Sequence, residues 1–181
     1  MINPNINIRL TKIEDISLLP DIEYSAGESF RDLPDLAWIA DDDVMSVETH
    51  LNFVINGTSW LAEADDQIVG FLCAESVEKD LHIWLLAVQL EWQGKGIGRR
   101  LMKTVIEHAH RNEFISVTLT TFREVPWNEP FYRSLGFEMV DKEKMDPRLQ
   151  EILHAEIQHG LPGVLRCAMR LLVSPIREKD A

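Results

Sequence analysis

The sequence predicts an α/β fold, a mixed sheet of about seven strands with helices on both faces. Three observations carry this. Short apolar or alternating runs interleave with helix-period segments in the order strand, helices, three strands, helix, strand, helix, strand, helix, strand. The fourth run, "LHIWLLAVQL" (81–90), is apolar on both faces over its middle, as a central strand must be. The stretch behind it, "EWQGKGIGRRL" (91–101), sets three alternating glycines at the mouth of a helix.

Taken in order, "INIRL" (6–10) alternates as a short strand. "TKIE" opens a helix, with Thr11 as N-cap and Glu14 three residues on, and Pro20 interrupts it or starts a second piece. Residues 27–43 read as a loop with aromatic anchors Phe30 and Trp38, a length associated with function in compact domains. "SVETHLNFVI" (46–55) is a helix with Val47, Leu51 and Val54 on one face, ended by Asn56-Gly57. "TSWLAEA" (58–64) and "QIVGFLCAESV" (67–77) form a hairpin across Asp65-Asp66, and "EKD" (78–80) leads into the central strand. Behind the glycines, Ile97, Leu101, Met102, Val105, Ile106 and Ala109 recur at helical spacing, with Arg99, Arg100, Lys103 and Glu107 opposite. "ISVTLTT" (115–121) is a strand, and "VPWNEPFYRSL" (125–135) a short helix with Pro126 near its start. "GFEMV" (136–140) is a strand, "MDPRLQEILHAEIQH" (145–159) a helix and "LRCAMRLLV" (165–173) the last strand. The tail, 174–181, reads as frayed.

The 181 residues suit one domain, 1–181, with a core over about 6–173. Hydrophobic residues make up 45% and charged residues 27%, ordinary for a globular protein. No apolar run reaches the roughly 20 residues of a membrane helix. The start "MINPNINIRLTKIED" lacks a leader pattern, so the expected location is cytoplasmic. Cys73 and Cys167 lie in apolar runs and read as buried free thiols. No Cys/His cluster has zinc-like spacing, so no metal is expected.

A net charge of −12 argues against a nucleic-acid binder. The charge is also uneven. Glu14 to Glu48 holds eleven acids and one base, Arg31. Gln93 to Arg111 holds five bases (Lys95, Arg99, Arg100, Lys103, Arg111) and one acid, Glu107. An acidic half suits a cationic ligand; a basic helix start suits an anionic one.

Strand, then Gly94-Lys95-Gly96-Ile97-Gly98, then helix leaves backbone N–H groups pointing along the helix axis. Glycine permits positive φ and close ligand approach. Together these make a phosphate or pyrophosphate cradle, with Lys95, Arg99 and Arg100 as cationic support. No Walker spacing is present, and the G-x-G-x-G pattern is not the Rossmann fingerprint.

The segment "QGKGIG" (93–98) resembles the Q-x-x-G-x-G/A acetyl-CoA signature of the GNAT N-acetyltransferase superfamily. A second block, "NEPFYRSLGFE" (128–138), is similar to that family's N-x-x-x-x-Y-x-x-x-G-F pattern. Order and spacing agree from about residue 58 to 140. The resemblance implies a mostly antiparallel, twisted sheet and acetyl-CoA as acyl-donor cosubstrate. It implies that Gln93, Gly94, Lys95, Gly96, Ile97, Gly98 and Arg99 bind the pyrophosphate. Leu86, Ala87 and Val88 should offer backbone hydrogen bonds to the pantetheine arm and acetyl carbonyl. Asn128 should contact the pantetheine, Phe131 should pack near the coenzyme, and Tyr132 should face its sulfur. A homodimer stays open, since dimers are common in the family.

Acetyl transfer needs a neutral amine, an aligned attack and a stabilised leaving thiolate. Neutralising a lysine-like amine at pH 7 costs roughly 4–5 kcal/mol, so a base helps. Tyr132 is the candidate general acid. His82 falls where some family members carry a catalytic glutamate, and an ordinary His pKa suits a base; Glu75 is a second candidate. Glu28, Phe30, Asp32, Trp38 and Trp127 are candidates for an acidic, aromatic acceptor box. The expected function is therefore acetyl transfer to a primary amine, most simply of a small cationic molecule. A protein or peptide acceptor and a non-catalytic acyl-CoA sensor remain as alternatives.

Overall fold

The computed structural model describes residues 5–173; the tail expected to fray lies outside them. Seven strands form: β1 (Ile6–Leu10), β2 (Ser59–Ala64), β3 (Gln67–Val77), β4 (Asp80–Val88), β5 (Ser116–Phe122), β6 (Glu138–Met139) and β7 (Arg166–Leu172). The helices are α1 (Leu19–Gly27), α2 (Val47–Ile55), α3 (Ile97–Arg111), α4 (Glu129–Arg133) and α5 (Pro147–Gln158). The strands hydrogen-bond in the order β1-β2-β3-β4-β5-β7-β6, which puts β4 fourth of seven, as its apolar run requires. The β4–β5 pair is parallel, and β1–β2, β2–β3, β5–β7 and β6–β7 are antiparallel. No helix among the described residues is long and apolar enough to cross a membrane. The chain divides into two compact units. One runs to Glu75 and includes Leu85–Val105; the other holds Ser76–Trp84 and the chain from Ile106.

In the first unit the β2–β3 hairpin turns on Asp65 (φ 50°) and Asp66 (φ 62°), the left-handed pair a tight two-residue loop demands. Arg9 on β1 bridges Asp15 and Glu63, each at 2.7 Å, tying the following turn to the sheet. The expected Thr11–Glu14 capping pair does not form. Thr11 instead accepts from Ser59 Oγ at 2.8 Å. Asp15 reaches back to the Lys12 N–H at 2.8 Å, because its carboxylate is already drawn there by Arg9. Pro20 sits in the first turn of α1 and starts the helix rather than breaking it. Of residues 27–43, Gly27 ends α1, and short 3₁₀ turns lie at Glu28–Phe30 and Ala37–Asp41.

The first unit's core joins Leu19 and Ile22 of α1 to Leu61, Phe71, Cys73 and Ala87 of the strands. Burying each large apolar side chain contributes about 1.5–3 kcal/mol. On α2, Ser46 caps the N-terminus by accepting from Thr49 N–H at 3.2 Å. The face expected from Val47, Leu51 and Val54 is not the buried one, for Val47 is 50% exposed. His50 is fully buried instead, edge-on to Phe71 at 5.1 Å, and Phe53, three residues on, packs on the core. Neither ring nitrogen of His50 has a hydrogen-bond partner among the described residues.

Gly70 on β3 marks a close backbone approach in this unit. A Cβ there would lie 2.9 Å from the Ala87 carbonyl oxygen, 3.2 Å from Val88 Cγ2 and 3.4 Å from Ile97 Cγ2. Absence of that Cβ lets the end of β4 and the first residue of α3 close on β3.

In the second unit β4 pairs in parallel with β5 from Asp80↔Ser116 to Ile83↔Leu119, and β5 pairs with β7 along its whole length. Asp146 caps α5 by accepting from Leu149 N–H at 3.0 Å. The helix lies against β5 and β7, where Glu156 accepts from Thr120 and from Arg166 Nε. The helix expected over 125–135 is shorter: α4 starts after Asn128, and Pro130, not Pro126, occupies its first turn. Both cysteines are buried free thiols.

Two outcomes follow for stability. Gly70→Ala should lower it by about 1–3 kcal/mol, since the clash is with backbone that cannot swing away; an unchanged urea midpoint would contradict this. Burial holds the His50 pKa down to about 4 against an ordinary 6.5. The unfolded chain then binds more protons between those values, so this component of stability is intact above pH 6.5 and lost as pH falls toward 4. His50→Leu should flatten that loss by on the order of 1–3 kcal/mol, read from urea unfolding at pH 4.5 and 7.5.

Candidate active site

In the first unit the strand β4 ends at Val88, and a 3₁₀ turn follows at Leu90–Trp92. Gln89 N–H donates to the Val69 carbonyl at 2.9 Å, and Leu90 N–H donates to Ser25 Oγ of α1 at 3.1 Å. Gln93 folds back so that Nε2 donates to the Val88 carbonyl at 3.0 Å. Its side chain therefore closes the turn, and the Val88 carbonyl already has a donor. Gly94 (φ 73°) and Gly96 (φ 82°) both take left-handed backbone, and a Cβ at either would meet nothing within 4 Å. Conformation, not crowding, demands glycine here, and the space above the backbone is open.

The first helical bond of α3 in this turn runs from Arg100 N–H to the Gly96 carbonyl at 3.1 Å. The amides of Ile97 and Gly98 precede it at the helix start, where helix geometry supplies no acceptor within the helix. With the partial positive charge of the helix start, this geometry suits an anion. Ile97 is 1% exposed and anchors the turn, whereas Arg99 and Arg100 are exposed. Lys95 stacks its ammonium 4.5 Å from the Trp92 ring centre, which holds the charge beside the glycines. Leu86 and Val88 are half-buried and Ala87 is buried, and all three lie beyond the residues of β4 that pair with β5.

Of the residues expected to receive the acceptor, Glu28 lies in an ion pair with Arg31 at 2.7 Å, and Asp41 holds the same guanidinium at 2.7 Å. The one base of the acidic stretch is thus shared by two acids. Phe30 is half-buried, Asp32 is exposed, and Trp38 is at the surface of the same unit. Glu75 is exposed near the end of β3. Sequence reasoning missed Glu23 on α1. Its carboxylate accepts from Met45 N–H at 2.8 Å, and Met45 Sδ lies 4.0 Å from Cys73 Sγ. Burial, with the Asp42 charge adding to it, pushes Glu23 up to about 7, while the Met45 N–H opposes the shift. No local pattern announces this, because the Met45 N–H that meets the carboxylate is 22 residues away. Gly70 was also missed, although a lone glycine inside a strand run is a sign of close backbone approach.

In the second unit Asn128 precedes α4. Its Oδ1 accepts from Thr121 Oγ1 at 3.0 Å, and its Nδ2 is buried with no partner among the described residues. A free donor of this kind fits a ligand carbonyl. Tyr132 is 8% exposed, with its ring edge-on to Phe131 at 5.1 Å and near Phe137 at 6.0 Å. Burial pushes its phenol up to about 12, with Arg166 acting the other way, so it stays protonated. Trp127 is 40% exposed and belongs to this unit, unlike the other four residues of the expected acceptor box.

His82 differs from expectation. It is fully buried on β4, with Nδ1 2.9 Å from Thr118 Oγ1 and the ring edge-on to Trp84 at 4.8 Å. Burial, reinforced by the Arg148 charge and opposed by Asp146, holds its pKa down to about 3. The ring is neutral at physiological pH and is a poor base. The expectation assumed an ordinary imidazole, which desolvation removes.

Residues 56–139 match the family model described as Acetyltransferase (GNAT) domain. Among curated relatives, the N-acetylaspartate synthetase of Danio rerio is 28% identical over 137 residues, covering 75% of this chain and 44% of that one. The chain spans about half the length of the curated relatives it matches. Among solved structures, the PaiA N-acetyltransferase of Thermoplasma acidophilum in complex with coenzyme A superposes at a TM-score of 0.67. It is 19% identical, and the alignment covers 93% of this chain and 99% of that one. The ribosomal-protein-S18-alanine N-acetyltransferase of Escherichia coli gives a TM-score of 0.67 at 15% identity, covering 96% and 97%. The glycine turn at the head of α3 and the block around Tyr132 both fall within the span, residues 56–139, that is similar to a GNAT acetyltransferase domain, and the fold is that of the solved N-acetyltransferases.

Proposed function

We propose that this protein transfers the acetyl group of acetyl-CoA to a primary amine by direct attack in a ternary complex. The glycine turn at Gly94–Arg99 is the observation that carries this: left-handed glycines and open space above the backbone, at the start of a helix that follows the central strand. The coenzyme complex of the PaiA relative supports the same ligand. The amides of 94–99 would hold the pyrophosphate, with Lys95 and Arg99 adding charge. Leu86 and Ala87 would offer backbone groups to the pantetheine arm, Asn128 Nδ2 would donate to it, and Phe131 would pack beside it. When bound, the coenzyme supplies the activated acetyl group.

Tyr132 would donate a hydrogen bond to the departing sulfur. A phenol near 12 against a thiol near 8.5 makes full proton transfer uphill by about 5 kcal/mol, so the phenol stabilises the thiolate without surrendering its proton. For the amine proton, Glu23 has the matched affinity near neutral pH and would accept it directly or through water. Glu75, exposed on β3, is the alternative carboxylate.

A small cationic amine is supported by the eleven acids between Glu14 and Glu48, which outnumber what Arg31 neutralises. A free amino acid is the second reading, supported by the name of the N-acetylaspartate-making relative. The protein is expected to act in the cytoplasm.

Three measurements test this. Coenzyme release should appear with polyamines or arylalkylamines; activity confined to aspartate-like amino acids or to peptides would move the acceptor class, and silence with all of them would overturn the enzyme. Tyr132→Phe should lower kcat by at least about tenfold with acetyl-CoA affinity unchanged, and an unaltered kcat would remove Tyr132 from the reaction. In the pH profile of kcat/KM, activity should rise as pH climbs through about 7, where the Glu23 carboxylate forms, and Glu23→Gln should abolish that limb.

A further inference from the structure

A hydrogen-bond chain in the second unit fixes which nitrogen of His82 carries the proton. Arg148, in the first turn of α5, places Nη2 3.3 Å from Thr118 Oγ1 and 3.7 Å from Asp80 Oδ2. A guanidinium only donates, so Thr118 accepts from it. Thr118 is fully buried, and its side-chain partners among the described residues are Arg148 and His82. Were His82 Nδ1–H the donor, Thr118 would accept twice and its own proton would be buried without an acceptor, at a cost of about 1–3 kcal/mol. The chain therefore runs Arg148 to Thr118 to His82 Nδ1, and the imidazole proton sits on Nε2. That nitrogen is itself buried with no partner among the described residues.

We propose that the Arg148–Thr118 pair locks His82 as a neutral Nε2–H donor, and that His82 is a positioning residue whose partner is an oxygen lone pair of the acceptor or of an ordered water. The oxygen partner rests on the acetyl-transfer reading; the tautomer does not. The surrounding charges keep the ring in this form. Arg148 disfavours a second proton, and the facing acids are already engaged: Asp146 with Arg170 at 2.8 Å, and Asp80 with Ser116. His82 then answers the opposite need to a base. It rejects a ligand that presents only a proton at this point and retains one that presents an oxygen.

Long-range ¹H–¹⁵N correlation on the intact, histidine-labelled protein reads the tautomer directly. From pH 5.5 to 8, Nε2 should remain protonated and Nδ1 bare, and Thr118→Val should convert this to a mixture. A proton on Nδ1, or titration within the range, would overturn the proposal. A kinetic arm uses His82→Gln, whose amide can place a donor near Nε2, and His82→Ala. The Gln variant should stay within about threefold of wild-type kcat/KM and the Ala variant should fall at least tenfold, both with the pH profile unchanged in shape. Equal impairment, or loss of the acidic limb, would overturn it. A raised acceptor KM in the Ala variant assigns the oxygen to the acceptor, and a lowered kcat at constant KM assigns it to water. A wild-type enzyme without turnover would defeat the acetyl-transfer reading and leave the tautomer result standing.

Discussion

The close approach at Gly70 is the constraint on which the proposed coenzyme site depends. One missing Cβ lets the Ala87 carbonyl, Val88 and Ile97 converge on β3. Ile97 is the first residue of α3, so the same contact sets where the helix begins relative to the end of β4. The geometry of the glycine turn follows from that placement. The left-handed glycines reverse the chain, Gln93 ties the reversal to the last strand carbonyl, and the helix amides emerge together. Interiors are close-packed, so such a contact transmits its geometry rather than absorbing a change.

Burial sorts the titratable groups of the two units into different roles. His50 and His82 lose their basicity, Tyr132 keeps its proton, and Glu23 is held near neutrality. These shifts share a cause, desolvation, but differ in what opposes it. Glu23 retains one N–H donor from Met45, which keeps its charged form within reach; His50 has no such compensation, and at His82 the Arg148 charge adds to burial and only Asp146 opposes it. A group whose charged form is directly hydrogen-bonded is held nearer neutrality than one countered only by a charge at a distance. The proposed roles follow this sorting, a movable proton at Glu23 and fixed donors at His82 and Tyr132.

The fold was legible to a large degree because its determinants are local. Alternation marked the strands, Asp65-Asp66 marked the hairpin, and the apolar run of 81–90 marked the central strand. The misplaced details were those decided at a distance. Arg9 and Glu63, on two strands, chose Asp15 over Glu14 as the residue that closes the first turn. Phe71 on β3 gave α2 a buried face centred on His50 rather than on Val47. The glycine turn was readable because positive φ and helix amides are properties of a few consecutive residues. The environments of His82 and Glu23 were not, since they rest on Thr118, Arg148 and Met45, which are far away in sequence.

A crystal structure with acetyl-CoA tests the central claim most directly. The account predicts pyrophosphate oxygens within about 3 Å of the backbone amides between Gly94 and Arg99, at the start of α3. A pyrophosphate bound elsewhere, with those amides facing only solvent, would contradict it.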